Sequence, residues 1–314
     1  MNSPENVPMV KIRDVTLRDG LQLTGGVLSV DSKVALFRKL LANGIDEIEL
    51  GSMARPDLVP PLANSLEVVE QLSPEELEKA WIWVATPRHV SRAAAAGARN
   101  FQYCFSVSDS HNKANIGRST EDSLDALPEA VKNCEEVDGK IQLCLATSFT
   151  CPFEGTISED RVVEIVSDKR TKGTCDIVIC DTIGQATPSQ VSSLISRVRD
   201  VSAGRRIVYH GHDTWGLGVA NALAAINAGA TVVDGALGGL GGCPFAPGAS
   251  GNTATEDLLY AFRTDTMSTE SFGALVLAGE ELITELGEEN QSRSAKGAFA
   301  SPESYKWAVD GNKS

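Results

Sequence analysis

The chain has 314 residues, of which 42% are apolar and 22% charged. That balance supports a sizeable core and excludes a disordered or fibrous protein. With 42 acidic against 28 basic residues the formal charge is −14. Such a surface repels phosphate backbones and anionic lipid, so nucleic acid and membranes are not expected partners.

No apolar run approaches the roughly 20 residues that a membrane helix needs. The opening MNSPENVPMVKIRDV has no basic segment leading into an apolar one, so it does not read as a secretory signal. The seven cysteines are scattered and include no Cys-x-x-Cys pair. This pattern points to reduced, mostly structural thiols and a cytoplasmic location.

In chain order, the candidate strands are Val10–Leu17, Asp46–Gly51, Ala80–Ala85, Asn100–Val107, Lys140–Ala146, Asp176–Cys180, Arg206–His210 and Thr231–Gly235. Several contain nearly continuous apolar runs, such as IVIC and TVV, as expected of parallel strands covered on both faces. Amphipathic stretches lie between them. Ser29 and Asp31 precede VALFRKLLANG, which Gly44 stops, and Ser158 precedes EDRVVEIVSDKR. Pro188 opens PSQVSSLISRVRDV at the position where its missing N–H costs little. GLGVANALAAINAG follows Trp215 and closes on glycine.

Eight strand–helix alternations over about 265 residues predict an α/β fold, a (β/α)8 TIM barrel. An open doubly wound sheet would carry a glycine-rich turn after its first strand, and none is present. The apolar stretch SFGALVLAGEELITEL predicts additional C-terminal helices. The expected organisation is one catalytic domain over 1–314, with the barrel at about 8–263 and the helical addition at about 264–314.

In such a barrel, reactive groups sit at the C-terminal ends of strands and in the loops that follow. The first strand ends in VTLRDGLQ, placing Arg18 and Asp19 there. An aspartate can ligate a hard cation and an arginine can stabilise an oxyanion; the plainer reading is a solvated turn pair. The seventh ends in IVYHGHDTWG, where His210 and His212 share one face and make up half of the four histidines. They read as metal ligands, or as a base beside a ligand.

After the eighth strand, six glycines fall between Gly238 and Asn252, in a loop able to close over a ligand. Cys243 in that loop is the candidate reactive thiol, against the alternative of a plain turn cysteine. Asn252 either caps the next helix or offers its carbonyl to a metal. Glu49 and Ser52 end the second strand, and Asp181 and Thr182 end the sixth. These carboxylates orient ligands or carry protons, or only cap the loops that follow.

The most specific passages are RDGLQ at 18–22, CPFEG at 151–155, DTIGQATP at 181–188, HGHDTWG at 210–216 and GGLGGCPFAPGASGN at 238–252. On these the chain resembles the hydroxymethylglutaryl-CoA lyase family, a branch of the metallolyase barrels whose first strand ends in Arg-Asp. The resemblance spans roughly Lys11 to Phe262. It implies that Asp19, His210, His212 and Asn252 bind one divalent cation, Mg2+ or Mn2+. Arg18 would stabilise the enolate of the departing acyl-CoA, and Cys243 would assist proton transfer to it. Glu49 and Asp181 would support the site, with His210 or the neighbourhood of Asp19 taking the hydroxyl proton.

The implied reaction is retro-Claisen cleavage of a 3-hydroxy-3-methylglutaryl-CoA-like acyl-CoA to acetyl-CoA and a keto acid, by a homodimer. The alternative is a Claisen- or aldol-type condensing enzyme of the same barrel, which the strand VTLRDG resembles more closely. Leu23-Thr24-Gly25-Gly26 replaces the family's usual polar sequence after RDGLQ, and Trp215 replaces a tyrosine. These departures imply a longer or differently substituted acyl group.

Overall fold

The computed structural model describes residues 10–242, 251–262 and 267–300. Eight parallel strands form its centre: β1 (Lys11–Asp14), β2 (Glu47–Ser52), β3 (Ala80–Val84), β4 (Asn100–Ser106), β5 (Lys140–Ala146), β6 (Asp176–Asp181), β7 (Arg206–Gly211) and β8 (Val232–Gly235). Each pairs with the next in chain order, and β8 closes on β1 with Lys11 opposite Val232. This is the expected (β/α)8 barrel.

The connecting helices are α1 (Val30–Ala42), α2 (Ser65–Glu70), α3 (Pro87–Ala95), α4 (Thr120–Glu135), α5 (Glu159–Ser167), α6 (Pro188–Val201), α7 (Gly218–Ala228) and α8 (Thr255–Phe262). The C-terminal addition supplies α9 (Thr269–Leu286) and α10 (Arg293–Ala300). Local sequence explains the starts. The Ser29 hydroxyl accepts the Ser32 amide at 3.0 Å to cap α1. Thr187 and Gln190 form a reciprocal capping box around Pro188 at the head of α6. Helix α1 then buries Val34, Phe37 and Leu40, each contributing roughly 1.5–3 kcal/mol by leaving water. Among the described residues, no helix is long and apolar enough to cross a membrane.

Strand alternation sorts the side chains into two populations. Phe101, Tyr103 and Phe105 of β4 and Ile141, Leu143 and Leu145 of β5 join the main core under the helices. Their neighbours Cys104 and Cys144 belong to a separate cluster inside the barrel. The interior is also polar in layers. Arg206 bonds to Glu47 at 3.0 Å and Asp176 at 2.8 Å at the strand starts. One layer up, Arg13 meets Asp234 through two hydrogen bonds of 2.8 and 2.7 Å and donates to Gln142 Oε1 at 2.7 Å. Gln142 in turn donates to Asp176 at 2.7 Å, joining the layers. Removing one partner of such a buried pair costs about 3–5 kcal/mol.

One boundary differs from the sequence expectation. The first strand ends at Asp14, not Leu17, because Asp14 accepts the Thr16 amide at 2.9 Å and the Thr255 hydroxyl at 2.7 Å, turning the chain. A small hairpin pairs Thr150–Cys151 with Gly155–Thr156, so CPFEG lies on a turn outside the barrel.

Glu256, at the head of α8, is fully buried and accepts the Gly238 amide with both oxygens at 2.9 and 3.0 Å. Burial pushes its carboxyl up to about 8. The folded chain therefore holds a proton that an unfolded chain releases near the ordinary glutamate value of 4.5. Between those pH values the folded state binds more protons, so this group's stabilising effect is complete at acid pH and fades as pH rises toward 8. Glu256→Gln keeps one acceptor and does not titrate. Its melting temperature relative to wild type is expected to rise by several degrees between pH 5.5 and 8.5; a constant difference in parallel thermal melts would contradict this.

Candidate active site

The site is assembled at the C-terminal end of the barrel by a wide turn, a strand end and a returning loop. After Asp14 the chain makes a five-residue π-type turn over Thr16–Gly20, with the Gly20 and Leu21 amides bonding five residues back to Val15 and Thr16 at 3.1 and 3.0 Å. Such turns are frequent at functional sites. This one buries two consecutive charged side chains, Arg18 and Asp19, which successive strand positions would send to opposite faces.

On the other side, residues 251–253 run antiparallel to the end of β7. The Thr253 amide donates to the Gly211 carbonyl at 3.1 Å, and Asp213 donates back to Gly251 at 3.0 Å. This bridge places Asn252 beside His212. Gly241 makes room for it: its φ is +119°, and a Cβ there would lie 2.5 Å from the Asn252 amide nitrogen.

Asp19 is the hub. Its Oδ1 accepts from Arg18 Nη1 and from Gln22 Nε2, the latter at 3.0 Å. Its Oδ2 accepts from Asn252 Nδ2 at 2.9 Å and lies 3.2 Å from His212 Nε2 and 3.8 Å from His210 Nε2. Burial alone would raise the Asp19 carboxyl, but Arg18 and the two imidazoles overcome it and hold the group well below the usual carboxylate range. Asp19, His210 and His212 each offer a ligand atom, all within 4.8 Å of one another.

Those residues fit a divalent cation on two grounds. Among the described residues, the buried Oδ1 of Asn252 and Nδ1 of His212 have no hydrogen-bond partner, an expensive condition that a cation or its bound water relieves. In addition, the buried ion pairs around and beneath the ligand atoms set three carboxylates, Asp19, Glu49 and Asp234, against two guanidinium groups, Arg13 and Arg18. A carboxylate, two imidazoles and an amide oxygen form a hard-to-borderline donor set.

Arg18 is held from two sides. Its Nε donates to Glu49 Oε2 at 2.5 Å and its Nη1 to Asp19, while Nη2 has no hydrogen-bond partner among the described residues. His210 is fixed through Nδ1, 3.1 Å from Asp234 Oδ2. Burial would lower its pKa, but Asp234 and Asp19 raise it above the ordinary histidine value. Only Nε2 faces the site, and that nitrogen either ligates or takes a proton, one role excluding the other at any moment.

The chain as a whole has close relatives of known kind. Residues 9–274 match the family model HMGL-like. The chain belongs to that family. This HMGL-like protein is 35% identical to the (R)-citramalyl-CoA lyase of Chloroflexus aurantiacus, over 88% of its own length and 91% of the relative's. It is 31% identical to the hydroxymethylglutaryl-CoA lyase of Bacillus subtilis, covering 91% and 96%. The solved structure of an HMG-CoA lyase from Acinetobacter baumannii in complex with coenzyme A and 3-methylmalate superposes with a TM-score of 0.85 at 33% identity, over 94% and 96% of the two chains. All three of these are named as lyases.

Within this HMGL-like barrel, Arg18, Asp19, Glu49, His210, His212 and Asn252 come together as the sequence suggested. Asp181 lies beside them, its carbonyl accepting the His212 amide at 3.3 Å, while its two carboxylate oxygens accept the Gln185 and Ala186 amides at 3.1 and 3.0 Å, the geometry of a loop anchor. Cys243 lies outside the described residues. The other six cysteines are free, five buried and Cys175 partly so, in keeping with structural thiols. Sequence reasoning missed Asp234 and Arg13, which orient His210 and brace Glu49. The available signal was period two: Asp234 shares a strand face with Val232, so a carboxylate had to point into the barrel.

Proposed function

We propose that this HMGL-like enzyme cleaves a 3-hydroxy-3-substituted acyl-CoA by a retro-Claisen reaction, releasing acetyl-CoA and a keto acid. It is a carbon–carbon lyase, and the observation that carries the reading is the buried cluster of Asp19, His210 and His212 joined by Arg18. Asp19, His210, His212 and Asn252 would hold Mg2+ or Mn2+. A divalent cation there would supply Lewis acidity toward the oxygens of the substrate.

The chain's own residues do the rest. As the C3 hydroxyl passes its proton to a base, His210 Nε2 or a water beside Asp19, the C2–C3 bond breaks and its electron pair moves into the thioester enolate, leaving the C3 oxygen as the carbonyl of the keto acid. Arg18 Nη2 meets the negative oxygen of that enolate, held in place by Glu49 and Asp19. Cys243 then supports return of a proton to C2. Asp234 holds the His210 ring in one orientation and Asp181 anchors the loop after β6.

Support for an acyl group other than hydroxymethylglutaryl comes from the turn after Gln22, where Leu23 stays about half exposed at the rim. The same reading takes the 314 residues as one catalytic domain acting in the cytoplasm as a homodimer. Leu277 on α9 and Phe299 on α10 are 52% and 47% exposed, apolar surface that a second copy would cover.

The deciding experiment incubates purified enzyme and Mn2+ with a mixed panel of 3-hydroxyacyl-CoA esters, followed by mass spectrometry. Consumption of at least one ester with matching release of acetyl-CoA and a keto acid is expected. Free CoA released only when a keto acid is added would instead mark a condensing enzyme.

A further inference from the structure

The barrel mouth has two unlike halves. The arc formed by β7, β8, β1 and β2 carries His210, Arg18, Asp19 and Glu49. The opposite arc presents thiols. Cys104 on β4 lies in register with Cys144 on β5, and Cys180 on β6 lies in register with His210 on β7. The Cys144 and Cys180 sulfurs are 3.5 Å apart. With Ala146, Val178 and Val208 they form an apolar cluster inside the barrel, separate from the main core, and the partly buried Trp83 packs against it.

Three observations give this arc a role. First, it adjoins the catalytic groups: the charge of Arg18 reaches both Cys104 and Cys180, and that of Glu49 reaches Cys144. Second, its side chains are short where barrel interiors are usually filled by branched aliphatic residues. Third, the thiols stay neutral. Contact with Cys144 and then burial push the Cys104 thiol well above its ordinary value, so it behaves as a small apolar group and not as a nucleophile.

The polar arc uses up the polar atoms of a 3-hydroxyacyl-CoA, namely its C3 oxygen, its thioester oxygen and any carboxylate. The remaining substituent on tetrahedral C3 has to point the other way. We propose that Cys104, Cys144 and Cys180 line an apolar subsite that receives the C3 substituent, and that this subsite takes an alkyl or aryl group larger than methyl. The inference rests on the acyl-CoA lyase reading above. Soft, polarisable sulfur packs well against such groups, and each methylene buried there should raise kcat/KM about fourfold.

The test is a series of 3-hydroxyacyl-CoA esters alike except at C3, bearing hydrogen, methyl, ethyl, isobutyl or phenyl. Wild-type kcat/KM is expected to climb about fourfold per methylene from methyl to isobutyl. Cys144→Phe fills the arc and is expected to lower the isobutyl-to-methyl ratio at least tenfold. Cys180→Ala, which removes one atom and keeps the barrel packed, is expected to raise it. A wild-type preference for hydrogen or methyl, with a ratio that neither substitution moves, would overturn the subsite while leaving the lyase reading intact. Turnover of no ester by protein shown calorimetrically to bind Mn2+ would overturn both.

Discussion

Asp19→Asn is expected to weaken Mn2+ binding by at least a hundredfold and to lower kcat by about a thousandfold. The side chain keeps its shape but loses its charge, and every neighbour depends on that charge. Arg18, Gln22, Asn252 and the two imidazoles all point hydrogen-bond donors or ring nitrogens at its oxygens. An amide in that place brings its own donors against Arg18 or Asn252 and leaves the guanidinium with one buried carboxylate partner instead of two. Breaking a buried pair in this way costs about 3–5 kcal/mol, which sets the scale of both losses. Isothermal titration with Mn2+ and steady-state kinetics read the two effects separately, and circular dichroism confirms the fold. Metal affinity and turnover within twofold of wild type would remove Asp19 from the site.

Arg18→Lys should separate binding from chemistry. Lysine keeps the charge, but a single ammonium cannot reach Glu49 and Asp19 and still present a third nitrogen to substrate. Mn2+ affinity is expected to stay within a few-fold, because Asp19, His210, His212 and Asn252 are untouched. The value of kcat is expected to fall by about a hundred- to a thousandfold, the usual consequence of losing one well-placed oxyanion donor. A loss in KM alone, with kcat preserved, would show that Arg18 binds ground state and not the developing enolate.

The barrel was legible in the sequence because strands buried on both faces cannot hide their composition. IVIC at 177–180 and LCLA at 143–146 admit few other readings. The end of β1 was not legible, since VTLRDG is as suitable for a strand as for the wide turn it forms. What decides is Asp14, whose carboxylate is fixed by Thr255, a contact made 241 residues later. The ring of Asp19, His210, His212 and Asn252 was readable because barrel chemistry collects at strand ends, and the structure confirms their proximity. Asp181 was left between proton carrier and loop cap, and its two backbone hydrogen bonds match the second. Asp234 escaped notice as one polar residue in an apolar run, and Arg13 because, between Lys11 and Asp14, it reads as part of a solvated strand edge. Their purpose appears only when β8 closes on β1 and sets Arg13 opposite Asp234.

The layered interior has a consequence for how this enzyme can change. Arg206 with Glu47 and Asp176, and Arg13 with Asp234 and Gln142, lock the barrel shut below the level of the reaction. At the mouth itself, the arc of Cys104, Cys144 and Cys180 holds no ion pair. Exchanging a residue there leaves no buried charge stranded, so its cost is that of packing alone. Substrate range can therefore drift one substitution at a time along β4, β5 and β6, while the half of the ring that breaks the bond stays fixed.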